Sequence, residues 1–276
     1  MSQTYSSSIV DRSLARKVRD TAEGYIRIDL VEERMFPATS VMRYLAVGFP
    51  VLLYYFQSTF LEMSDRLFVM MIIGTAVIAG LQDALTGLTS RLNFAMERGT
   101  LETYLVEPVP WALIPVAMNI WRSVAGGMLA CFMVGLGCLL GAPINAGAIP
   151  AALVVLFLGI IACNALGTFA ASFIVLFKRG EPVVHLFGLA SAVLGGALFP
   201  ISVLPEPVRW LSYLVPHSYV ISVERNLLIP GAPPEGLPTG ASVALLVLLC
   251  LVTFVSGIVV FDRSLRLARQ LGILSV

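Results

Sequence analysis

The side chains best placed to do chemistry in this chain are ionisable groups set in long apolar stretches. Asp83, beside Gln82, and Arg122 lie inside such stretches, and Arg43 lies at the start of another. A charged group is costly in apolar surroundings, so each is expected to face a polar partner or a watery inlet. We predict that Asp83 pairs with Arg122, with Arg43 as the second candidate partner. Such pairing is favoured over contact with a substrate, which stays open as the alternative.

The residue types that catalyse or bind metals are sparse and widely separated. No G-x-x-x-x-G-K-[ST], H-E-x-x-H or G-x-S-x-G segment occurs, so ATP hydrolysis through a P-loop in this sequence is excluded. The cysteines lack C-x-x-C spacing and are expected to pack as small hydrophobes. We therefore predict no catalytic residue, no metal site and no cofactor bound by this chain. The histidines are His185 and His217, and the cysteines are Cys131, Cys138, Cys163 and Cys250.

Composition identifies the solvent in which these residues must be positioned. The chain has 276 residues, of which 58% are hydrophobic and only 13% charged. Residues 123–177 contain no Asp, Glu, Lys or Arg. About 20 apolar residues cross a bilayer core of about 30 Å, so this stretch holds two helices, separated near Pro143 and Pro150. The chain is predicted to be an integral membrane protein, and its net charge of +1 does not indicate a nucleic-acid surface.

The same reading along the chain predicts an all-α, polytopic membrane protein with six transmembrane helices. Helices are required because lipid offers no partner to free backbone groups. Asn119 and Asn164 are expected to join neighbouring helices by hydrogen bonds, and paired glycines to let helices approach closely. The predicted spans are residues 41–60, 67–90, 113–140, 151–177, 183–201 and 241–261.

The basic residues are distributed unevenly about these spans. One side carries only Arg66, Arg209 and Arg225. The positive-inside rule therefore predicts a cell-membrane protein with both termini in the cytoplasm. The first apolar run begins only near Val41, so a secretory signal peptide is not expected. The basic residues of the predicted cytoplasmic side are Arg12, Arg16, Lys17, Arg19, Arg27, Arg34, Arg91, Arg98, Lys178, Arg179, Arg263, Arg266 and Arg269.

The segment before the first span has helical periodicity. Apolar residues recur every three or four positions from Leu14 to Met35, with charged residues on the other faces. We predict an amphipathic helix that lies among lipid headgroups, although a solvated helix bound to a partner fits equally well. The predicted organisation is a cytoplasmic N-terminus (1–38), a transmembrane domain (39–262) and a cytoplasmic tail (263–276).

The loop 91–111 is longer than a simple reversal between two helices requires. It contains a charged segment followed by Pro108 and Pro110, and a short helix is expected over residues 100–106. An interaction surface for another protein is favoured, with a merely solvated loop as the alternative. The residues of the charged segment are Glu97, Arg98, Gly99, Thr100, Leu101 and Glu102.

Prolines and aromatic residues divide the segment after the fifth span, 202–238. Proline favours helix starts and breaks a continuing helix, so short helices are predicted over residues 207–214 and 219–228. Aromatic rings of this kind belong at a membrane interface. An ordinary amphipathic loop is the alternative. The residues that mark the segment are Pro200, Pro205, Trp210, Pro216, Tyr219 and Arg225.

Residues 96–102 and 195–225, together with the order of the spans, resemble the permease subunit of the type-2 ATP-binding-cassette (ABC) exporter family. The resemblance implies that the segment Glu97 to Glu102 fits a cleft of a separate ATPase subunit, which binds ATP and Mg. It implies a second permease copy or a sister permease as a further partner. It also implies that the segment with Pro200 to Arg225 forms a re-entrant helical hairpin at an outer gate.

The function predicted from the sequence is therefore that of an ABC permease driven by ATP hydrolysis in a separate subunit. Apolar spans with few charges favour a hydrophobic or amphipathic cargo such as a drug, lipid or glycolipid. A membrane-embedded enzyme acting on lipid-linked substrates and an ion-driven secondary transporter are the alternatives. An internal repeat would favour the secondary transporter, and none is evident between the halves.

Overall fold

The computed structural model describes residues 14–99, 113–177, 181–231 and 237–270. In these residues the secondary structure is helical. Short 3-10 turns at Ala146–Ala148 and Ile201–Val203 precede α6 and α8. The helices are α1 (Leu14–Met35), α2 (Pro37–Phe60), α3 (Asp65–Glu97), α4 (Ile114–Met118), α5 (Ile120–Leu139), α6 (Ile149–Phe177), α7 (Glu181–Leu194), α8 (Glu206–Ser212), α9 (Pro216–Leu228) and α10 (Thr239–Gln270).

The first two helices meet at a sharp bend. Phe36 separates them, Pro37 begins α2, and their axes differ by 88°. Proline suits this position because the first helical residues need no backbone donor. In α1, Tyr25 and Asp29 are buried against the protein, whereas Ile28 is 59% and Met35 is 68% exposed. The predicted amphipathic helix is confirmed, and it presents separate faces to the bundle and to the outside.

The long helix α3 lies at the centre of the bundle and packs against α5, α6, α7 and α9. Its 33 residues span about 50 Å at 1.5 Å per residue. The contact with α5 is close, since a Cβ atom on Gly126 would lie 2.5 Å from the carbonyl oxygen of Gly80. Glycine at both positions lets the two backbones touch, as predicted for paired small residues.

Two buried clusters define the ends of the bundle. One joins α1 to the C-terminal parts of α3, α6 and α10 and to α4, and it includes Tyr25, Leu92 and Leu265. We call this the Arg91 end. The other fills the remainder of the bundle, includes Met70 and Val220, and reaches the end where α9 packs. We call that the Arg225 end. The shared ends show that α3, α6 and α10 run in the same direction.

The helices that meet the length and hydropathy of a membrane span are α3, α5, α6 and α10. The bent pair α1 and α2 adds a fifth if it crosses as one unit. The helix α7 has 14 residues and a length of about 21 Å, which is less than a bilayer core of about 30 Å. The protein is thus an all-helical, multi-pass membrane protein with four or five candidate spans, and the count of six stays a prediction.

Two predicted spans differ in detail from the structure. The span predicted at 113–140 is interrupted at Asn119, which separates α4 from α5. The span predicted at 183–201 is helical only to Leu194, because Gly196 adopts a φ of +70° and the chain turns there. Glycine tolerates this left-handed conformation without the steric cost of a side chain.

Candidate functional site

The intramembrane carboxyl of Asp83 forms an ion pair with Arg43, which lies near the start of α2. The partner placed first by the sequence, Arg122, does not form this pair, and that assignment was wrong. Both side chains are partly exposed. The ion pair joins α2 to α3.

The relative height of α3 and α5 explains the choice of partner. A Cβ atom on Gly87 would lie 3.1 Å from Cβ of Arg122, and one on Gly126 would lie 3.1 Å from Cβ of Asp83. Arg122 is therefore level with Gly87, which follows Asp83 by one helical turn. Because one turn is about 5.4 Å along the helix axis, Arg122 lies closer to the Arg91 end than Asp83 does. Asp83 therefore pairs with Arg43.

A second ion pair, which the sequence analysis missed, fixes α1 to the bundle. Arg91 near the end of α3 contacts the carboxylate of Asp29, and its guanidinium also lies 5.5 Å from the ring centroid of Tyr25. Burial raises the pKa of the Asp29 carboxyl from its ordinary value, and Arg91 opposes that rise. The spacing of four residues between Tyr25 and Asp29 was the available signal, because it places both on one helical face.

One member of each pair, Asp29 and Arg43, lines a small cavity of about 200 Å³ at the Arg91 end. Arg122 and Trp121 of α5 line it, together with residues of α1 and α2. The acidic residues Glu32 and Glu33 also border it. The cavity thus joins charges of both signs and places Arg122 near, but not in, the pair formed by Asp83.

A much larger cavity of about 920 Å³ opens between α2, α4, α5, α6 and α10. Its lining is mostly apolar and includes Phe132, Phe157 and Phe254. This is the size and character of a site for a drug-sized apolar molecule. Its polar lining consists of a few side chains, among them Ser123, Asn164 and Thr168.

An interhelical hydrogen-bond network closes one wall of this large cavity. Asn119 donates to the carbonyl oxygen of Ala84 at 2.7 Å and to the side chain of Asn164. Asn164 in turn donates to the hydroxyl of Ser123 at 2.7 Å. The network joins α3, α5 and α6, so the predicted role of Asn119 and Asn164 in helix association is confirmed.

The charged segment predicted to dock a partner begins where α3 ends. Glu97 is the last residue of α3, and the guanidinium of Arg98 lies 3.8 Å from the ring centroid of Phe94. Gly99 has a φ of +66° and ends the helix in the usual manner of a C-terminal glycine. These residues are exposed. Thr100, Leu101 and Glu102, with the rest of the helix expected over residues 100–106, lie outside the described residues.

At the opposite end, Arg225 of α9 joins three elements. Its Nη2 atom donates to the carbonyl oxygens of Ala197 at 2.7 Å and of Met70 at 3.0 Å. The side chain is fully buried. Hydrogen bonds from a charged donor are stronger than neutral ones, so this guanidinium holds the turn after α7 and the first turns of α3 against α9.

The other residues predicted for this segment lie at its helix boundaries and surface. Pro200 precedes the 3-10 turn, Pro205 precedes α8, and Pro216 begins α9. Trp210 is 58% exposed, as expected for an interfacial ring. Tyr219 is instead 7% exposed and donates its hydroxyl to the carbonyl oxygen of Tyr213 at 2.8 Å. The ring of Tyr219 thus packs inward, and its position at a membrane interface stays a prediction.

Together these features define a multi-pass helical membrane protein with a large apolar cavity among its candidate spans. A family model described as ABC-2 type transporter matches residues 31–229, which is well over half of the chain. The chain belongs to the ABC-2 type transporter family, whose membrane domain is a transmembrane permease. The match runs from the end of α1 to the end of α9. A search of curated proteins gave no match.

Proposed function

We propose that this chain is the permease subunit of an exporter that moves hydrophobic or amphipathic molecules, driven by ATP hydrolysis in a separate subunit. The family match over residues 31–229 carries this proposal. The sequence contains no P-loop of its own, so the ATP and Mg would be bound by the partner. The working unit would contain two ATPase subunits and two permeases, either two copies of this chain or one copy with a sister permease.

The exposed end of α3 supports the docking of the ATPase there. Glu97, Arg98 and Gly99 are exposed, and α3 packs against most of the other long helices. A push on this end would act on the whole central helix. Because Arg91 joins α3 to Asp29, α1 would move with it. In this proposal the Arg91 end and both termini face the cytoplasm, and the chain lies in the cell membrane.

The opposite end would then form the outer gate. We propose that α7 with the turn to Pro200 completes a short crossing, which brings the number of spans to six. The helices α8 and α9 would form a re-entrant hairpin, and Arg225 would couple that hairpin to α3 through Met70. A shift of α2, α3 and α7 on closure of the ATPase dimer would open the outward path.

The cargo class is supported by the large cavity. Its volume is about 920 Å³ and its lining is mostly apolar, with few polar groups to orient a ligand. An apolar or amphipathic molecule gains free energy by moving its surface into such a space. A drug, lipid or glycolipid fits this description, whereas a fully polar sugar chain would leave its hydroxyl groups without partners.

The partner can be tested by affinity purification of the full-length chain from its own cells, with identification of bound proteins. We expect a P-loop ATPase to co-purify and its hydrolysis to respond to lipophilic cargo. The double substitution of Glu97→Lys and Glu102→Lys should abolish co-purification and transport. Glu62→Lys, at an exposed acid in the connection between α2 and α3, is the control and should change neither.

Two results would count against the proposal in different ways. Absence of any ATPase from the wild-type complex would overturn the function itself. Unchanged co-purification and transport in the double variant would overturn only the docking role of the segment from Glu97 to Glu102. Size-exclusion profiles of the variants in detergent would show that both remain folded.

A further inference from the structure

Glu224 on α9 is a buried carboxyl for which the roles described so far give no use. It is 4% exposed. In the described part of the chain, no hydrogen bond or ion pair is formed by its carboxylate. The neighbouring Arg225 is directed to the carbonyl oxygens of Met70 and Ala197. Glu224 therefore stands in contrast to the other buried acid, Asp29, which has Arg91 as its partner.

The carboxyl of Glu224 lines a cavity of about 210 Å³ between α3, α5, α6 and α9. Within the described chain, Glu224 is its single charged lining residue. The walls are apolar apart from two thiols and include Ile73, Val134 and Leu153. Gly135 and Cys138 of α5 are exposed and mark an opening between α5 and α6. In a bilayer this opening would be lateral, toward the surrounding lipid.

This small cavity adjoins the large one. Cys131, Leu153 and Leu156 line both. A molecule could therefore place a polar head at Glu224 while its apolar part extends into the large cavity between α5 and α6. The two spaces together match an amphipathic shape, with one acidic point and long apolar walls.

A carboxylate in apolar surroundings without a counter-charge is costly. The empty site therefore favours the protonated carboxyl, and a cation that binds there displaces this proton to water and gains a charge-assisted contact in a region of low dielectric constant. A neutral ligand of the same shape gains only the apolar contact. The cavity should consequently discriminate by charge as well as by hydrophobicity.

We propose that Glu224 binds the ammonium group of amphipathic cations, whose apolar portion lies along α5 and α6 toward the large cavity. The role of such a cation as cargo rests on the proposed export function. The binding itself does not, because it requires only the folded permease.

The test measures binding of radiolabelled dodecyltrimethylammonium to the full-length chain in nanodiscs of zwitterionic lipid. This probe carries a permanent charge, so pH does not alter it. We expect saturable binding to the wild type, weakened by roughly tenfold to a hundredfold in Glu224→Gln. Glu224→Asp should bind with intermediate affinity. Glu206→Gln is the matched control at an exposed acid and should bind as the wild type does.

A second variant addresses the cavity and not its charge. A Cβ atom on Gly135 would meet no atom within 4 Å, so Gly135→Leu should fold and narrow the opening. We expect this variant to weaken binding of the cation as well. Unlabelled dodecanol, the uncharged analogue, should compete to the same degree in the wild type and in Glu224→Gln.

The inference fails if the wild type shows no saturable binding, or if Glu224→Gln binds the cation as tightly as the wild type. Should Glu224→Gln not fold, unchanged binding in Gly135→Leu would overturn it equally. If the wild type exports uncharged cargo but does not bind the cation, this inference fails and the proposed function stands. If the wild type binds the cation but no ATPase co-purifies with it, this inference stands and the proposed function fails.

Discussion

The carbonyl oxygen of Ala197 lies directly against Gly74 of α3, where a Cβ atom would be only 1.8 Å away. The same oxygen accepts the 2.7 Å hydrogen bond from Arg225. The turn after α7 is thus held from two sides, by steric contact with α3 and by the guanidinium of α9. Its position depends on glycine at 74, since any larger residue would move the oxygen that Arg225 binds.

Gly74→Ala should therefore destabilise the protein, because the new methyl group meets backbone that cannot rotate away. We expect a loss of about 1–3 kcal/mol, typical of overpacking, seen as a lower melting temperature of the purified chain in detergent. Gly135→Ala is the matched control, since its Cβ meets open space. That control should be neutral or stabilising by up to about 1 kcal/mol from helix propensity. Equal melting temperatures of the two variants would contradict the close contact.

The pairing of Asp83 can be measured by a double-mutant cycle. Asp83→Asn and Arg43→Gln should each lower thermal stability, and the double variant should lose less than their sum, with a coupling of about 0.5–3 kcal/mol. The parallel cycle with Arg122→Gln should be close to additive, because Arg122 lies one helical turn away. Strong coupling to Arg122 and none to Arg43 would restore the partner first expected from the sequence.

The attachment of α1 depends on Arg91. Arg91→Gln removes the ion pair with Asp29 and the contact with the Tyr25 ring, and leaves a buried carboxyl unpaired. We expect a cost of about 1–3 kcal/mol and faster hydrogen exchange confined mainly to α1. Adding Asp29→Asn should recover part of the loss.

An exposed ion pair within α1 provides the control for Arg91→Gln. Arg19 contacts Glu23 at 3.2 Å, and both side chains are exposed. Arg19→Gln should change the stability by less than about 0.5 kcal/mol, because exposed pairs contribute little. Equal exchange rates in Arg19→Gln and Arg91→Gln would show that the buried pair does not hold α1.

The sequence predicts a single helix from its apolar periodicity, but it does not predict how two helices are aligned along their axes. The amphipathic helix that includes Leu14–Met35 was predicted because its apolar period is strong and a proline follows. The partner of Asp83 was not, because the choice depends on the height at which Gly80 meets Gly126. No local pattern encodes that height.

The position of Glu224 was missed although a signal existed. It follows Val220 by four residues and precedes Leu228 by four, so it falls on the apolar face of the predicted helix 219–228. A charge on such a face indicates burial. Its use as part of a cavity still required the structure, since the other walls come from α3, α5 and α6.

The orientation of the bundle in the membrane can be tested by thiol labelling. The four native cysteines are free and would first be replaced by alanine. Arg98→Cys and Glu206→Cys then place single thiols at exposed positions on opposite ends. The excess of basic residues on the side of Arg98 predicts that this side is cytoplasmic. In intact cells an impermeant maleimide should label Glu206→Cys, and it should label Arg98→Cys only after the membrane is opened. The reverse pattern would invert the orientation and remove the basis for docking an ATPase at Glu97.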